Sequence, residues 1–199
     1  MFIDLTLALQ PKTIEKYEKQ SALDKPEIDI DTLKKVLAGH FGTHLDNMKK
    51  AFPLEYFQRK AVVFDVHHVK GRDIGISDID FAKIKKDMCI VFYTGCAEEL
   101  GYGNAKYFQD HPQLSKELID KLLDCKISLI AIDAAGIRRA KEHTPTDQMC
   151  ADNNVFVIEN ICNLQALLEN SKNGEFIANT YPANYIDVTG LQCRMVAQI

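Results

Sequence analysis

The sequence lacks a surplus of positive charge: 24 Lys and Arg stand against 28 Asp and Glu in 199 residues, a formal net charge of −4. Without a basic field to grip a phosphate backbone, nucleic acid is excluded as the first partner to consider. It also lacks any apolar run approaching the ~20 residues that span a bilayer, so no membrane association is expected. The opening Met1-Phe2-Ile3-Asp4-Leu5 carries an early acid, and Lys12, Glu15 and Lys16 follow, which is not the pattern of a secretory leader. A cytoplasmic location is therefore the expectation. There is no C-x-x-C pair, so neither a zinc knuckle nor a thioredoxin-type site is indicated. No Gly-rich loop of the dinucleotide or P-loop kind occurs, and no cofactor beyond metal is expected. Repeats, low-complexity tracts and linkers are absent as well.

What is present is an ordinary globular composition, 46% hydrophobic and 26% charged. Its length fits one compact domain over residues 1–199, large enough to bury a sizeable core. The six cysteines, at 89, 96, 125, 150, 162 and 193, lie mostly in apolar runs such as Met88-Cys89-Ile90-Val91. In a chain with such a core they read as reduced, small hydrophobes and not as staples. Cys96, following Thr94-Gly95 at a strand end, is the one that would stand apart.

Strands are expected over 2–9, 61–69, 89–94, 127–132 and 155–158, with closing strands over 185–188 and 192–197. A polar segment runs from Pro11 to Ile30, and a turn with a short helix spans 77–86. Ser115 is placed to cap a helix carrying Leu118, Ile119, Leu122 and Leu123 at helical spacing. Leu164, Leu167 and Leu168 mark another short helix. Strands and helices mixed in this way predict an α/β or α+β domain.

The richest chemical stretch is Gly39-His40-Phe41-Gly42-Thr43-His44-Leu45-Asp46. Imidazole nitrogen and carboxylate oxygen suit zinc or manganese. On a helix His40 and His44 would share a face while Asp46 turned away; on an extended segment positions 40, 44 and 46 have the same parity. Gly42 disfavours the helix and permits close backbone approach. The alternative is two polar side chains on a solvated turn, and the residues alone leave it open. A second set lies later. Glu159 ends the run Val155-Phe156-Val157-Ile158, and Asp147 precedes it by twelve positions. A carboxylate buried beside such a strand is costly unless a cation or dense hydrogen bonding satisfies it; a strand-end Glu facing water is the other reading. His143, in a Thr-Pro-Thr loop, could be a ligand, a proton carrier or exposed.

The stretch His40-Phe41-Gly42-Thr43-His44-Leu45-Asp46 resembles the H-x-G-T-H-x-D signature of the cyclase superfamily, which includes bacterial kynurenine formamidases and isatin hydrolases. Three further segments are similar in order and spacing: Phe2-Ile3-Asp4-Leu5-Thr6; Asp87 to Gly95 with Tyr107-Phe108-Gln109-Asp110-His111-Pro112; and Ile158-Glu159-Asn160-Ile161-Cys162-Asn163-Leu164. The resemblance spans nearly the whole chain. It implies a swivelling β/β/α domain, a homodimer or larger homo-oligomer, and one or two divalent ions per chain, Zn²⁺ or Mn²⁺. Carried over by position, His40, His44, Asp46 and Glu159 would be metal ligands, with Asp147 at the remaining ligand position.

Two positions depart from the formamidase pattern. Lys50 stands where the family has its catalytic His, with Met48 in place of a Pro. Asp147 stands where the formamidases usually have a His ligand. The implied activity is hydrolysis of a C–N bond in a small amide, N-formylkynurenine-like, because a bound divalent ion brings the pKa of its water near ~7. Alternatives are an Mn²⁺-dependent hydrolase of a cyclic amide, ester or lactone, and a catalytically silent metal or ligand binder. A general acid must protonate the leaving nitrogen, and Lys50 and His143 are the candidates. Lys50 would need retuning from ~10.4; otherwise it binds an acidic substrate or is a surface lysine. The extra carboxylate at Asp147 hardens the site toward Mn²⁺ or Mg²⁺, or toward a single ion. His67-His68 and His111 read as structural, Arg138-Arg139 as solvated charge, and Phe41, Phe52, Phe57 and Tyr93 as core.

Overall fold

The computed structural model of the chain describes residues 1–7 and 39–199. The polar segment expected over 11–30, and residues 8–9 of the first expected strand, lie outside the described residues.

Eight strands are described: β1 (Phe2–Asp4), β2 (His44–Asp46), β3 (Gln58–Asp65), β4 (Cys89–Tyr93), β5 (Leu129–Ile132), β6 (Phe156–Glu159), β7 (Glu175–Pro182) and β8 (Gly190–Gln198). Their order is β1-β8-β2-β6-β5-β4-β3-β7, and β7 also pairs with β8, so the sheet closes on itself into a barrel. Pairing is parallel for β3–β4, β4–β5 and β5–β6, and antiparallel elsewhere. The fold is a mixed α+β one, as expected.

The parallel strands are covered on both faces, which is why they read as continuous apolar runs without alternation. On β4, Ile90 and Phe92 face the helical layer while Cys89 and Val91 face the barrel interior. Five helices are described: α1 (Cys96–Leu100), α2 (Ala105–Asp110), α3 (Lys116–Asp124), α4 (His143–Asp152) and α5 (Leu164–Asn170). In α3 the Ser115 side chain accepts from the Leu118 N–H, and Leu118, Ile119 and Leu122 are buried at the expected spacing. That face packs into the apolar cluster that also holds Ile90 and Phe92 of β4 and Ile130 and Ile132 of β5.

Some boundaries differ from the expectations. The strand expected over 61–69 runs over Gln58–Asp65 instead. Asp65 Oδ1 accepts from the His67 N–H and Val69 N–H donates to Val66 O, so a turn takes over where a strand was expected. The segment expected as a turn and helix over 77–86 holds two single 3-10 turns, Ile76–Asp78 and Phe81–Lys83. The expected strand over 185–188 is not one: Asp187 has φ 59°, and Tyr185 and Ile186 point to solvent. Its place is taken by β7, Glu-Phe-Ile-Ala-Asn-Thr-Tyr-Pro, whose inward positions Phe176, Ala178 and Thr180 alternate faithfully but include a polar residue. That polar content hides the period from a hydropathy reading. All six cysteines are free thiols. Burial pushes the Cys96 thiol up to about 12, so it is an inert filler at the β4–α1 junction. Among the described residues no helix is long and apolar enough to cross a membrane.

Candidate metal centre

Three elements and the bend before β2 bring six side chains together. The short strand β2 lies between β6 and β8, pairing His44 with Glu159, and Asp46 with Gly190. Strand parity therefore sends His44 and Asp46 to one side, as the extended reading of the motif required. His40 precedes the strand in a bend that reverses at Gly42, φ 67°, the one place in the motif where a left-handed backbone is needed. From the far side comes α4, on which His143 and Asp147 are one turn apart and share a face. His143 thus begins a helix and does not sit in a loop, a correction to the sequence reading.

The donor atoms form two overlapping sets, His40–His44–Asp46 and Asp46–His143–Asp147–Glu159, each within 4.8 Å. Asp46 belongs to both. His40 Nδ1 lies 3.1 Å from Asp46 Oδ1, and His44 Nε2 lies 3.7 Å from Asp46 Oδ1 and 3.5 Å from Glu159 Oε2. His143 Nε2 lies 3.2 Å from Asp147 Oδ2 and 3.3 Å from Glu159 Oε1. His44, Asp46, Asp147 and Glu159 are buried, whereas the His40 and His143 side chains remain 24% and 32% exposed. Within the cluster these two rings are the ones open to solvent.

The cluster is electrostatically incomplete by itself. Asp46 Oδ2, Asp147 Oδ1 and Glu159 Oε1 are buried without any hydrogen bond. Burial pushes the Asp147 and Glu159 carboxyls well above the usual carboxylate range, and the neighbouring Asp46 adds to it. Burial also brings the His44 imidazole down to about 4, so it is a neutral donor at physiological pH. Three converging carboxylates beside imidazole nitrogens fit a divalent cation, which supplies the charge and the partners that the protein withholds.

Residues behind the donors orient them. The His44 Nδ1–H donates to Gly42 O at 2.9 Å, which leaves Nε2 as the lone pair facing the carboxylates. Asn160 Nδ2 donates to the same carbonyl at 3.0 Å, Tyr107 O–H donates to Asn160 Oδ1 at 2.9 Å, and Thr43 O–H donates to Asn160 O at 2.7 Å. His40 Nε2 is 2.9 Å from Thr189 Oγ1. The sequence reading did not single out Asn160, Tyr107, Thr43 or Thr189. The first three lie inside quoted segments, Asn160 beside Glu159, Tyr107 before His111 and Thr43 before His44, and only Thr189 lay outside them.

Other expected residues fall elsewhere. Lys50 does not join the cluster: its Nζ pairs with Asp152 Oδ1 at 2.7 Å, at the far end of α4. Asp152 is five residues beyond Asp147, roughly 7 Å along the helix. Arg138 is buried and not solvated; it donates to Leu114 O at 2.6 Å and Asp73 Oδ2 at 2.7 Å and pairs with Glu142. That bonding ties down the turn leading into α4. His111 is buried against its own loop, Nδ1 2.8 Å from Pro112 O. His67 and His68 lie exposed beyond β3. Phe52 and Phe57 pack with Tyr56 and Phe156, and Phe41 meets Tyr102.

Fold and cluster together define a cyclase-fold protein with a His/carboxylate centre. The chain belongs to the Cyclase family, whose model matches residues 3–138. His40, His44 and Asp46 lie inside that match; His143, Asp147 and Glu159 lie beyond it. No curated protein matches the chain in sequence. Among solved structures it is similar to a "potential metal-dependent hydrolase with cyclase activity", 24% identical over 79% of this chain and 76% of that one, TM-score 0.63. It is similar to a "predicted metal-dependent hydrolase" from Bacillus stearothermophilus, 19% identical over 99% and 97%, TM-score 0.69. It is also similar to isatin hydrolase A from Labrenzia aggregata bound to benzyl benzoate, 16% identical over 99% and 93%, TM-score 0.72.

Proposed function

We propose that the protein is a metal-dependent hydrolase that cleaves the C–N bond of a small amide, with arylformamides of the N-formylkynurenine type as the leading substrates. The observation that carries this reading is the buried set of unpartnered carboxylate oxygens facing two partly exposed imidazoles. A bound divalent ion, Zn²⁺ or Mn²⁺, supplies Lewis acidity and an activated water at neutral pH. His40, His44, Asp46, Asp147 and Glu159 would hold it, and His143 joins them as a ligand in preference to the proton-carrying role weighed for it. Asp46, shared by both sets, could serve either ion. The His44 hydrogen bond to Gly42 O keeps its Nε2 unprotonated and aimed inward. Kinship with the solved hydrolases supports the reaction class as an expectation carried from their names and fold.

The position of Lys50 bears on the substrate. With its ammonium engaged by Asp152, no side-chain acid stands at position 50 to protonate the leaving nitrogen, and we assign that proton to solvent entering past His143 and His40. Such a site favours an aryl nitrogen, whose lone pair is delocalised into the ring and which departs with less protonation than an alkyl nitrogen. Arylformamides satisfy this condition. So do cyclic aryl amides, the second reading, which the same observation favours and which the likeness to isatin hydrolases supports.

The test is turnover of N-formylarylamines, cyclic aryl amides, alkyl formamides and aryl esters by metal-loaded protein. We expect aryl amides to turn over, alkyl formamides to lag, and His40→Ala to lose activity by about 10³-fold or more, while Lys50→Ala changes it by only a few-fold. Bound metal without turnover of any substrate would overturn the hydrolase and leave a silent metal binder. A collapse in Lys50→Ala equal to that in His40→Ala would restore the lysine to the mechanism.

A further inference from the structure

The two overlapping ligand sets differ in chemistry. The first has two imidazoles and one carboxylate, from His40, His44 and Asp46. The second has one imidazole and three carboxylates, from His143, Asp46, Asp147 and Glu159. Its Asp46 Oδ2 and Asp147 Oδ1 are buried without hydrogen bonds, so these oxygen donors are not spent on protein donors.

The single imidazole of the second set owes its place to residue 136. Gly136, with φ +125°, lies directly against the ring: a Cβ there would stand 2.8 Å from both Cε1 and Nδ1 of His143. His143 stands at the start of α4 with its Nε2 facing Asp147 and Glu159. A side chain at 136 would crowd this imidazole, press on Arg138 O at 3.0 Å and strain a backbone at φ +125°.

Resting on the metal-centre reading above, we propose that the centre is chemically unequal: the first position takes a borderline ion such as Zn²⁺, the second a hard ion, Mn²⁺ or Mg²⁺, and Gly136 is the positioning residue that admits His143 to the second. The reason is donor type. Nitrogen-rich sets suit zinc, and oxygen-rich sets suit manganese and magnesium. Asp147, one turn from His143 on the same face, adds the third carboxylate that turns the balance.

The experiment uses chelator-stripped full-length protein equilibrated with Zn²⁺ at a few equivalents per chain and a large excess of Mn²⁺, which offsets the tighter binding of zinc by any given donor set, read by elemental analysis per chain and by the Mn²⁺ paramagnetic resonance spectrum. One zinc and one manganese per chain are expected. Gly136→Ala is expected to keep the zinc and weaken manganese binding by about 10- to 100-fold, the usual cost of disturbing the groups that orient a ligand. Should Gly136→Ala fold poorly, Asp147→His serves instead, converting the second position so that zinc replaces manganese. Two zinc ions in the unaltered protein, or equal loss of both ions in Gly136→Ala, would overturn the inequality while leaving the hydrolase standing. A single ion per chain would remove the second position, again without touching hydrolysis. No bound metal at all would overturn both readings.

Discussion

Gly190 lies against the ring of His40, and a Cβ at position 190 would stand 2.5 Å from Cε1 and 2.7 Å from both ring nitrogens. The same glycine pairs across strands with Asp46, so β8 holds one ligand and leaves room for another at a single residue. Gly190→Ala is therefore expected to displace His40 while preserving the barrel. Overpacking of this kind costs about 1–3 kcal/mol. Calorimetry should find the variant folded but less stable, with zinc affinity at the first position lower by about tenfold or more. Unchanged zinc affinity would show that the His40 ring is not held as described.

Tyr107 and Asn160 act on His44 through Gly42 O. In Tyr107→Phe, Asn160 Oδ1 would lose its donor in a fully buried place, an expected cost of about 1–3 kcal/mol. Metal affinity is expected to fall by about 10- to 100-fold, with Asn160→Ala giving the larger effect. Denaturant unfolding and metal titration read the two quantities separately. If stability falls and affinity does not, the network supports the barrel alone.

Removing metal should destabilise the protein, because Asp46, Asp147 and Glu159 would then share a buried space without a cation. A ligand at 1,000 times its dissociation constant contributes about 4 kcal/mol of stability. Thermal unfolding with and without chelator should show a clear drop in Tm, reversed on adding back the ion. His44→Ala should shrink that difference.

Away from the centre, the Arg72 fork beside Asp78, with the Gly75 N–H, holds the Asp78 carboxyl down to about 2. Its folded pKa is below its unfolded value near ~3.9, so the stabilisation is present above about pH 4 and is lost as pH falls through 2. Asp78→Asn is expected to lower stability at neutral pH and to flatten the acid limb of the stability profile between pH 4 and 2. Parallel profiles for the two proteins over that range would refute the assignment.

The centre was partly legible in the sequence. His40, His44 and Asp46 sit close along the chain, and strand parity predicts their shared face from spacing alone. Glu159 was legible for a different reason, as a carboxylate closing an apolar strand. His143 was seen as a candidate but not placed, since its role depends on α4 beginning at residue 143 and running one full turn to Asp147. Lys50 held the position of a catalytic group in the motif, and only the location of Asp152 at the end of that helix reveals where its charge goes. Gly136 gave no local sign at all, because what it makes room for lies on the next element.

By itself the sequence determined the strand-rich core, the helix capped at Ser115 and the closeness of the first three candidate donors, all properties of residues within a few positions of each other. Tertiary structure alone decided the closure of the barrel through β7 and β8, the sharing of Asp46 between two sets, and the fit of His143 against Gly136. The physical reason is that local periodicity and steric preference act along the chain, whereas a metal centre is defined by donors that converge within a few ångströms from segments more than 100 residues apart, and only packing of the whole sheet brings them there.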